Sequence, residues 1–144
     1  MNKSGRESGK KCILAVDDAV IVLRRIVDAL EEFYDVVTVN SGVRALKYLE
    51  KEKPDLILLD IRMMPKDGIE TLQEIRLMED RADIPVIMLT GVEDKEFVME
   101  GIKLGICDYI LKPFFPDDLL ERIQRALKSS EEDHTQRAGA AEEL

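Results

Sequence analysis

The chain has 144 residues, with 21 lysines and arginines against 30 aspartates and glutamates, and so carries a formal net charge of −9 at pH 7. This length predicts a single domain, and a composition of 45% hydrophobic and 35% charged residues is typical of globular proteins rather than of disordered chains. The apolar runs are too short to span a bilayer, and the acidic surface disfavours contact with nucleic acid phosphates. We therefore expect no direct binding to membranes or nucleic acid.

The two ends of the chain differ in charge from the body. Residues 1–11 hold four basic side chains against one acidic one and lack the apolar segment of a secretory signal, which predicts a disordered basic leader and a cytoplasmic location. Residues 129–144 are predicted to be an acidic tail or the stub of a linker. His134, the only histidine, lies in this tail and is expected to be an idle, solvated residue.

Five short apolar runs, each the length of a strand, alternate with amphipathic segments. The runs lie at residues 13–16, 36–39, 56–59, 86–89 and, more weakly, 109–111. Most lack polar alternation, as is typical of parallel strands buried on both faces. The amphipathic segments carry apolar residues at helical spacing, namely Val20, Leu23, Val27 and Leu30, then Val43, Leu46 and Leu49, then Ile69, Leu72 and Ile75, then Val98 and Ile102, and finally Leu119, Ile123 and Leu127.

This alternation predicts an α/β fold, in which a parallel sheet lies between two layers of helices. Right-handed crossovers bring the carboxyl ends of the strands to one edge of the sheet, where ligands bind in such folds. The polar residues that follow the strands at this edge are Asp17, Asp18, Asp60, Thr90 and Lys112. Converging carboxylates repel one another unless a cation neutralises them, and oxygen ligands favour Mg²⁺. A lysine and a hydroxyl beside them suit a bound phosphoryl group.

Helix capping is the alternative reading of these aspartates, because aspartate is a favoured N-cap residue. Capping accounts for one or two aspartates, but it does not account for Lys112, which follows an apolar strand and precedes a proline. The whole set therefore favours an aspartate that acts as a nucleophile towards phosphorus beside a metal ion.

The motifs and their order resemble those of the receiver domains of two-component response regulators, over residues 12–128. The matching motifs are Asp17-Asp18, Asp60 at the end of an apolar strand, Asp67-Gly68, Thr90-Gly91 and Lys112-Pro113-Phe114. The resemblance implies a flavodoxin-like, doubly wound (βα)5 fold, which is a three-layer sandwich with its parallel sheet in strand order 2-1-3-4-5.

The resemblance also implies a role for each matching residue. Asp60 would be the phosphoacceptor. Mg²⁺ would be held by Asp60, by Asp18, by Asp17 through a water molecule, and by the main-chain carbonyl of Arg62.

The remaining implied roles concern the phosphoryl group and the switch. Thr90 and Lys112 would each hold one phosphoryl oxygen. Tyr109 would be the aromatic switch residue, whose ring turns inward when Thr90 moves towards the phosphate. The peptide bond between Lys112 and Pro113 is expected to be cis, as X-Pro bonds can be at modest cost.

Two features depart from the family pattern. After the acceptor the family has methionine and then proline at the third and fourth positions, whereas this chain has Met63, Met64 and Pro65. Because proline restricts its own φ and the residue before it, we expect a loop of different shape. The variable positions that flank the phosphate hold Arg62, which would pair with the phosphoryl group or with a neighbouring acid, and Val92, which cannot orient an attacking water. We therefore expect a phosphoryl group that is not especially short-lived.

Smaller features give weaker expectations. Cys12 and Cys107 open the first and fifth strands, which lie three places apart in this sheet order, so they are expected to be buried spectator thiols without a disulfide. Met63 and Met64 would either form an adaptable contact surface or pack the loop. Residues 114–115, two phenylalanines, are expected to pack against the fifth helix.

The function implied by the resemblance is a phosphorylation-controlled signalling switch, which catalyses only its own phosphoryl transfer and slow dephosphorylation. Its implied partners are a sensor histidine kinase or phosphotransfer protein and a downstream protein or output domain. The face built by the fourth helix, the fifth strand and the fifth helix is expected to carry the output or a homodimer contact. A free-standing regulator and the receiver portion of a larger one remain open.

A Mg²⁺-dependent phosphatase of the haloacid-dehalogenase type is the alternative, because it also uses an aspartate nucleophile at the end of a parallel strand. That class has a second aspartate, the general acid, two residues after the nucleophile. Arg62 stands at that position here, which disfavours the phosphatase.

Overall fold

Five parallel strands form one sheet in the computed structural model, which describes residues 9–143 and, for residues 133–143, the backbone alone. The strands are β1 (Cys12–Val16), β2 (Asp35–Val39), β3 (Leu56–Asp60), β4 (Val86–Thr90) and β5 (Asp108–Leu111). They are arranged in the order β2-β1-β3-β4-β5, and every neighbouring pair is parallel. The predicted α/β fold and strand order are confirmed. Residues 1–8 of the predicted leader and the side chain of His134 lie outside the described part.

Five helices connect and follow the strands. They are α1 (Val20–Leu30), α2 (Gly42–Lys51), α3 (Gly68–Leu77), α4 (Lys95–Lys103) and α5 (Pro116–Glu143). Gly105, with a φ of +82°, follows α4 in the left-handed region that favours glycine and ends that helix, as predicted. Helix α5 begins at Pro116, as predicted, and continues through the segment that the sequence assigns to a tail or linker stub.

The core has two layers, one on each face of the sheet. Strands β1, β3 and β4 are buried throughout because helices cover both of their faces. One face packs on α2, α3 and α4 through residues that include Leu14, Ile57, Met88, Ala45, Leu49, Leu72, Ile75 and Val98. The other packs on α1 and α5 through residues that include Ile13, Leu58, Ile87, Ile26, Leu30, Leu119 and Ile123.

Some apolar positions predicted to face the core are exposed. Val20, Val43 and Ile102 lie at the first, second and next-to-last positions of their helices and are 70%, 41% and 55% exposed. Ile26 and Ala45, which lie further inside α1 and α2, are fully buried instead. The buried stripe of α1 thus includes Ile26 and Leu30, and that of α2 includes Ala45 and Leu49, so the helical spacing was right but the predicted stripes included exposed positions. Among the described residues, no helix is both long enough and apolar enough to cross a membrane.

Candidate functional site

Three carboxylates meet at the carboxyl edge of the sheet. Asp17 and Asp18 follow β1, and Asp60 is the last residue of the adjacent strand β3. One carboxylate oxygen from each residue lies within 4.8 Å of the others. Asp17 and Asp60 are buried, whereas Asp18 is exposed and gives the cluster an open side. The predicted convergence of these three residues is therefore present.

Lys112 bridges the two buried carboxylates from the far end of the sheet. It follows β5 and is joined to Pro113 by a cis peptide bond, as expected. Its Nζ donates a hydrogen bond to Asp60 Oδ1 at 2.9 Å and forms an ion pair with Asp17 Oδ2, also at 2.9 Å. One ammonium against three carboxylates leaves an excess of negative charge among all-oxygen donors, which fits a hard divalent cation.

Burial sets the protonation of this pair. It raises the pKa of Asp60 from 3.8 to about 6, with the charge of Asp17 acting in the same direction and the hydrogen bond from Lys112 against it. Burial alone lowers the pKa of Lys112, but its contacts with Asp60 and Asp17 outweigh this, so the pKa is raised overall. The lysine therefore stays charged, while Asp60 holds its proton to a higher pH than an ordinary aspartate and is mostly a carboxylate only above about pH 6.

Thr90 supplies the hydroxyl. Strands β3 and β4 pair Asp60 with Leu89, so Thr90 stands one residue further along the same edge. Its Oγ1 is buried and has no hydrogen-bond partner in the described part of the chain. A buried hydroxyl without a partner costs folding free energy, and a ligand that accepted its hydrogen bond would remove that cost.

The loop after Asp60 is held close to the strand by the start of α3. Gly68 N–H donates to the carbonyl of Ile61 at 3.0 Å, and a Cβ on Gly68 would lie 2.4 Å from the carbonyl oxygen of Asp60. Asp67 caps α3 through Glu70 N–H in a capping box. The Asp67-Gly68 motif therefore keeps the start of α3 close to the end of β3 at Asp60.

The loop after Asp60 contains Met63, Met64 and the displaced Pro65. The peptide bond between Met64 and Pro65 is cis. Met63 is buried in the core, whereas Met64 is 79% exposed. Of the two open interpretations, loop packing applies to Met63, and only Met64 is available as a contact surface.

Of Arg62 and Val92, the two positions expected to flank the phosphate, Arg62 makes a polar side-chain contact. Its Nε donates to Asp94 Oδ1 at 2.5 Å, and Val92 is 79% exposed. Asp94, which the sequence reasoning missed, is buried and also accepts a hydrogen bond from Gly91 N–H at 2.7 Å. The available signal was an acidic residue four positions after Thr90, at the start of a helix.

The expected switch residues border one cavity. Tyr109 lies on the edge strand β5 and is 43% exposed. A cavity of about 260 Å³ is lined by Thr90, Gly91, Val92, Lys95, Val98, Tyr109 and Leu111. Thr90 and Tyr109 therefore line the same cavity, which leaves space for their side chains to rearrange.

The expectation of two buried thiols is half wrong. Cys12 is buried, but Cys107 is exposed because it precedes β5 at an open edge of the sheet. Of the two adjacent phenylalanines, Phe114 is half-buried in the layer that includes α5, and Phe115 is 78% exposed.

Comparison with known proteins gives one consistent result. The family model described as the response regulator receiver domain matches residues 13–124. The chain is 38% identical over 122 residues to the alkaline phosphatase synthesis transcriptional regulatory protein PhoP of Bacillus subtilis, covering 84% of this chain and 50% of that protein. It thus spans about half the length of the curated relatives that it matches.

Solved structures agree. A receiver domain protein (CheY-like) from Methanospirillum hungatei superposes with a TM-score of 0.81 at 33% identity, over 86% of this chain and 98% of that one. The chemotaxis response regulator CheY4 of Vibrio cholerae gives 0.76 at 30% identity, over 81% and 98%. None of these matches supports the phosphatase alternative.

Proposed function

Because the chain belongs to the response regulator receiver domain family, we propose that it is a phosphorylation-controlled switch that accepts a phosphoryl group on Asp60. The donor would be a sensor histidine kinase or phosphotransfer protein, and the recipient of the signal a downstream protein or output domain. The observation that carries this proposal is the buried Asp60 carboxylate, which Lys112 bridges to Asp17. Asp60 pairs with Leu89, next to Thr90, whose hydroxyl has no hydrogen-bond partner among the described residues.

Receiver domains bind Mg²⁺ at an acidic pocket, and the carboxylate cluster fits such an ion. We assign Asp18, Asp60 and the main-chain carbonyl of Arg62 as direct ligands and Asp17 as a ligand through water. When bound, Mg²⁺ would supply positive charge against the phosphoryl oxygens. Its charge would also lower the pKa of Asp60 and favour the carboxylate form that attacks phosphorus.

The chain's own residues would then perform the transfer. A carboxylate oxygen of Asp60 forms a bond to phosphorus while the bond from phosphorus to the donor's imidazole nitrogen breaks, and the imidazole keeps that electron pair. Lys112 holds one phosphoryl oxygen, and Thr90 donates its hydroxyl hydrogen to another. The phosphoryl group carries about two negative charges where the carboxylate carried one, and these contacts offset them. Val92 has no polar group to orient water, which supports a phosphoryl group that is not short-lived.

The signal would leave the site through Thr90. Movement of its hydroxyl towards the phosphoryl group would open space in the shared cavity for the ring of Tyr109. The output surface is the face of α4, β5 and α5, where Met99 and Ile102 of α4 and Leu111 of β5 are exposed, as is Phe115 just before α5. Exposed apolar side chains of this size suit contact with a protein partner or a second copy of the chain. The cytoplasmic location and the boundaries of leader, domain and tail stay predictions.

Intact mass spectrometry tests the acceptor. The protein is incubated with a small-molecule phosphodonor and Mg²⁺ beside Asp60→Asn and the matched control Asp28→Asn, an exposed aspartate on α1. We expect a gain of one phosphoryl group in the wild type and in Asp28→Asn, and none in Asp60→Asn or when the metal is chelated. A gain in Asp60→Asn, or none in a folded wild type, would refute the proposal.

A further inference from the structure

Arg62 connects the two loops that flank the acceptor site. Its main-chain N–H donates to Asp60 Oδ1 at 3.3 Å, while its side-chain Nε donates to Asp94 Oδ1 at 2.5 Å. Its guanidinium carbon lies 5.7 Å from the ring centre of Phe97 on α4, within cation–π range. One residue therefore touches the acceptor with its backbone and the start of α4 with its side chain.

Asp94 is the other half of this connection. It occupies the N-cap position of α4, yet its side chain does not cap the helix. Its Oδ2 instead accepts a hydrogen bond from Gly91 N–H at 2.7 Å, next to Thr90 in the chain. Asp94 is only 2% exposed, and a buried carboxylate needs a counter-charge, which Arg62 provides.

We propose that Arg62 and Asp94 form an electrostatic latch, which holds the Thr90-Gly91 segment and the start of α4 in the resting arrangement. A phosphoryl group on Asp60 competes with Asp94 for the guanidinium of Arg62 and thereby opens the latch. This inference rests on the proposed function, and it makes Arg62 and Asp94 positioning residues that regulate the switch.

The charge balance gives the direction of the change. The guanidinium of Arg62 binds phosphate through two parallel hydrogen bonds, and its side chain is 58% exposed, so it is free to reorient. The carboxylate of Asp94 above all, and those of Glu93 and Asp60 more weakly, raise the pKa of Arg62, so charge at position 60 already acts on it. Departure of Arg62 leaves Asp94 without its cation and loosens its hold on Gly91.

The test uses beryllofluoride as a stable phosphoryl analogue, added to the full chain with Mg²⁺. Its affinity and the amide signal of Gly91 are measured by NMR in the wild type, Asp94→Asn, Arg62→Met and the double variant. Asparagine retains an acceptor for Gly91 N–H but loses the charge that holds Arg62. We expect Asp94→Asn to bind beryllofluoride about fivefold more tightly, or better. Arg125→Met and Glu121→Gln, which break an exposed ion pair on α5, are the matched controls.

The double variant separates a latch from a merely structural role. If Asp94 acts through Arg62, Asp94→Asn changes the affinity by less than about twofold once Arg62 is methionine. An equal effect of Asp94→Asn in both backgrounds, or unchanged affinity in the wild-type background, overturns the latch. If Asp94→Asn does not fold, Arg62→Met decides alone. Its Gly91 signal without ligand must shift towards the position of the loaded wild type, and an unshifted signal overturns the proposal.

The two levels of inference fail in different ways. If the wild type binds no beryllofluoride and gains no phosphoryl mass, the acceptor role of Asp60 is wrong and the latch falls with it. If the wild type binds the analogue but Asp94→Asn has the same effect with and without Arg62, the latch is wrong and the proposed function stands.

Discussion

At the carboxyl edge of the sheet, Asp17 and Asp60 are buried together and share one lysine, Lys112. At the opposite edge the half-buried guanidinium of Arg76, in the last turn of α3, lies among carbonyl acceptors. Its guanidinium donates to the carbonyl oxygens of Leu104, Gly105, Ala82 and Ile84 at 2.8 to 3.1 Å. The carboxyl edge has one lysine for three carboxylates, so its negative charges are only partly balanced. At the opposite edge, Nε, Nη1 and Nη2 of Arg76 each donate to at least one carbonyl oxygen.

Under the proposed function, the unmatched charges at the carboxyl edge belong to a ligand site, whereas the contacts of Arg76 stabilise the fold. Arg76 ties the end of α3 to the loops before β4 and β5, and its carbonyl partners need nothing further. The hydroxyl of Thr90, by contrast, has no partner in the described part of the chain. Unsatisfied buried polar groups cost stability, so they persist where a ligand satisfies them.

Substitution of Arg76 tests the structural edge and carries the largest expected change in stability. Arg76→Met removes four hydrogen bonds and leaves carbonyl oxygens in partly buried positions, so we expect the free energy of unfolding to fall by about 3 kcal/mol. Urea denaturation at pH 7.5 measures it. Arg125→Met, which loses only an exposed pair with Glu121, is the control and should change stability by less than about 0.5 kcal/mol. Equal effects would abolish the contrast between the edges.

Substitution of Asp60 tests the carboxyl edge. The free energy of unfolding is measured as a function of pH, in buffer with a metal chelator. The folded pKa of Asp60 is about 6 against 3.8 for the free side chain, so the folded state binds this proton more tightly. The resulting stability is present below pH 3.8 and is lost as the pH rises through about 6. Asp60→Asn has no such loss, so its stability relative to the wild type should rise by about 2 kcal/mol between pH 4 and pH 7.5.

Two further results sharpen this reading of Asp60. Addition of Mg²⁺ at pH 7.5 should stabilise the wild type, since the ion binds the folded state, and should stabilise Asp60→Asn less. If the difference in stability between Asp60→Asn and the wild type is the same at every pH, then burial does not destabilise the carboxylate form of Asp60.

The fold and most of the candidate site could be predicted from local patterns. The runs that became β1, β3 and β4 lack polar alternation because both faces of these strands are buried. Asp60 and Thr90 could be identified as neighbours because parallel strands end at the same edge. Lys112 could be added because a lysine between an apolar strand and a proline has few structural explanations.

The contacts that could not be predicted depend on loop conformation and on where helices end. The sequence does not show which acidic residue pairs with Arg62. The structure shows that it is Asp94, whose position depends on the turn that begins at Gly91. Val20 follows the helical period of α1 yet is exposed, whereas Ile26 is buried, because an apolar period alone does not determine which of several apolar positions faces the sheet. The exposure of Cys107 likewise follows from its position beside an edge strand.

Removal of the Thr90 hydroxyl gives the smallest expected change in stability. Whether stability rises or falls shows whether this hydroxyl has a partner in the folded protein. Thr90→Val keeps the shape of the side chain and removes a buried hydroxyl without a partner, so we expect the protein to gain about 1 kcal/mol of stability. Thr71 is the matched control, because its buried hydroxyl donates to the carbonyl of Asp67 at 2.9 Å. Thr71→Val should therefore lose about 1 kcal/mol in the same urea titration.

The same Thr90→Val protein should bind beryllofluoride about tenfold more weakly, because one hydrogen bond to the phosphoryl analogue is lost. Gain of stability together with loss of affinity is what a group reserved for a ligand must give. If Thr90→Val loses stability as Thr71→Val does, the hydroxyl of Thr90 has a structural partner in solution. The carboxyl edge would then resemble the edge at Arg76, where each donor already has its acceptor.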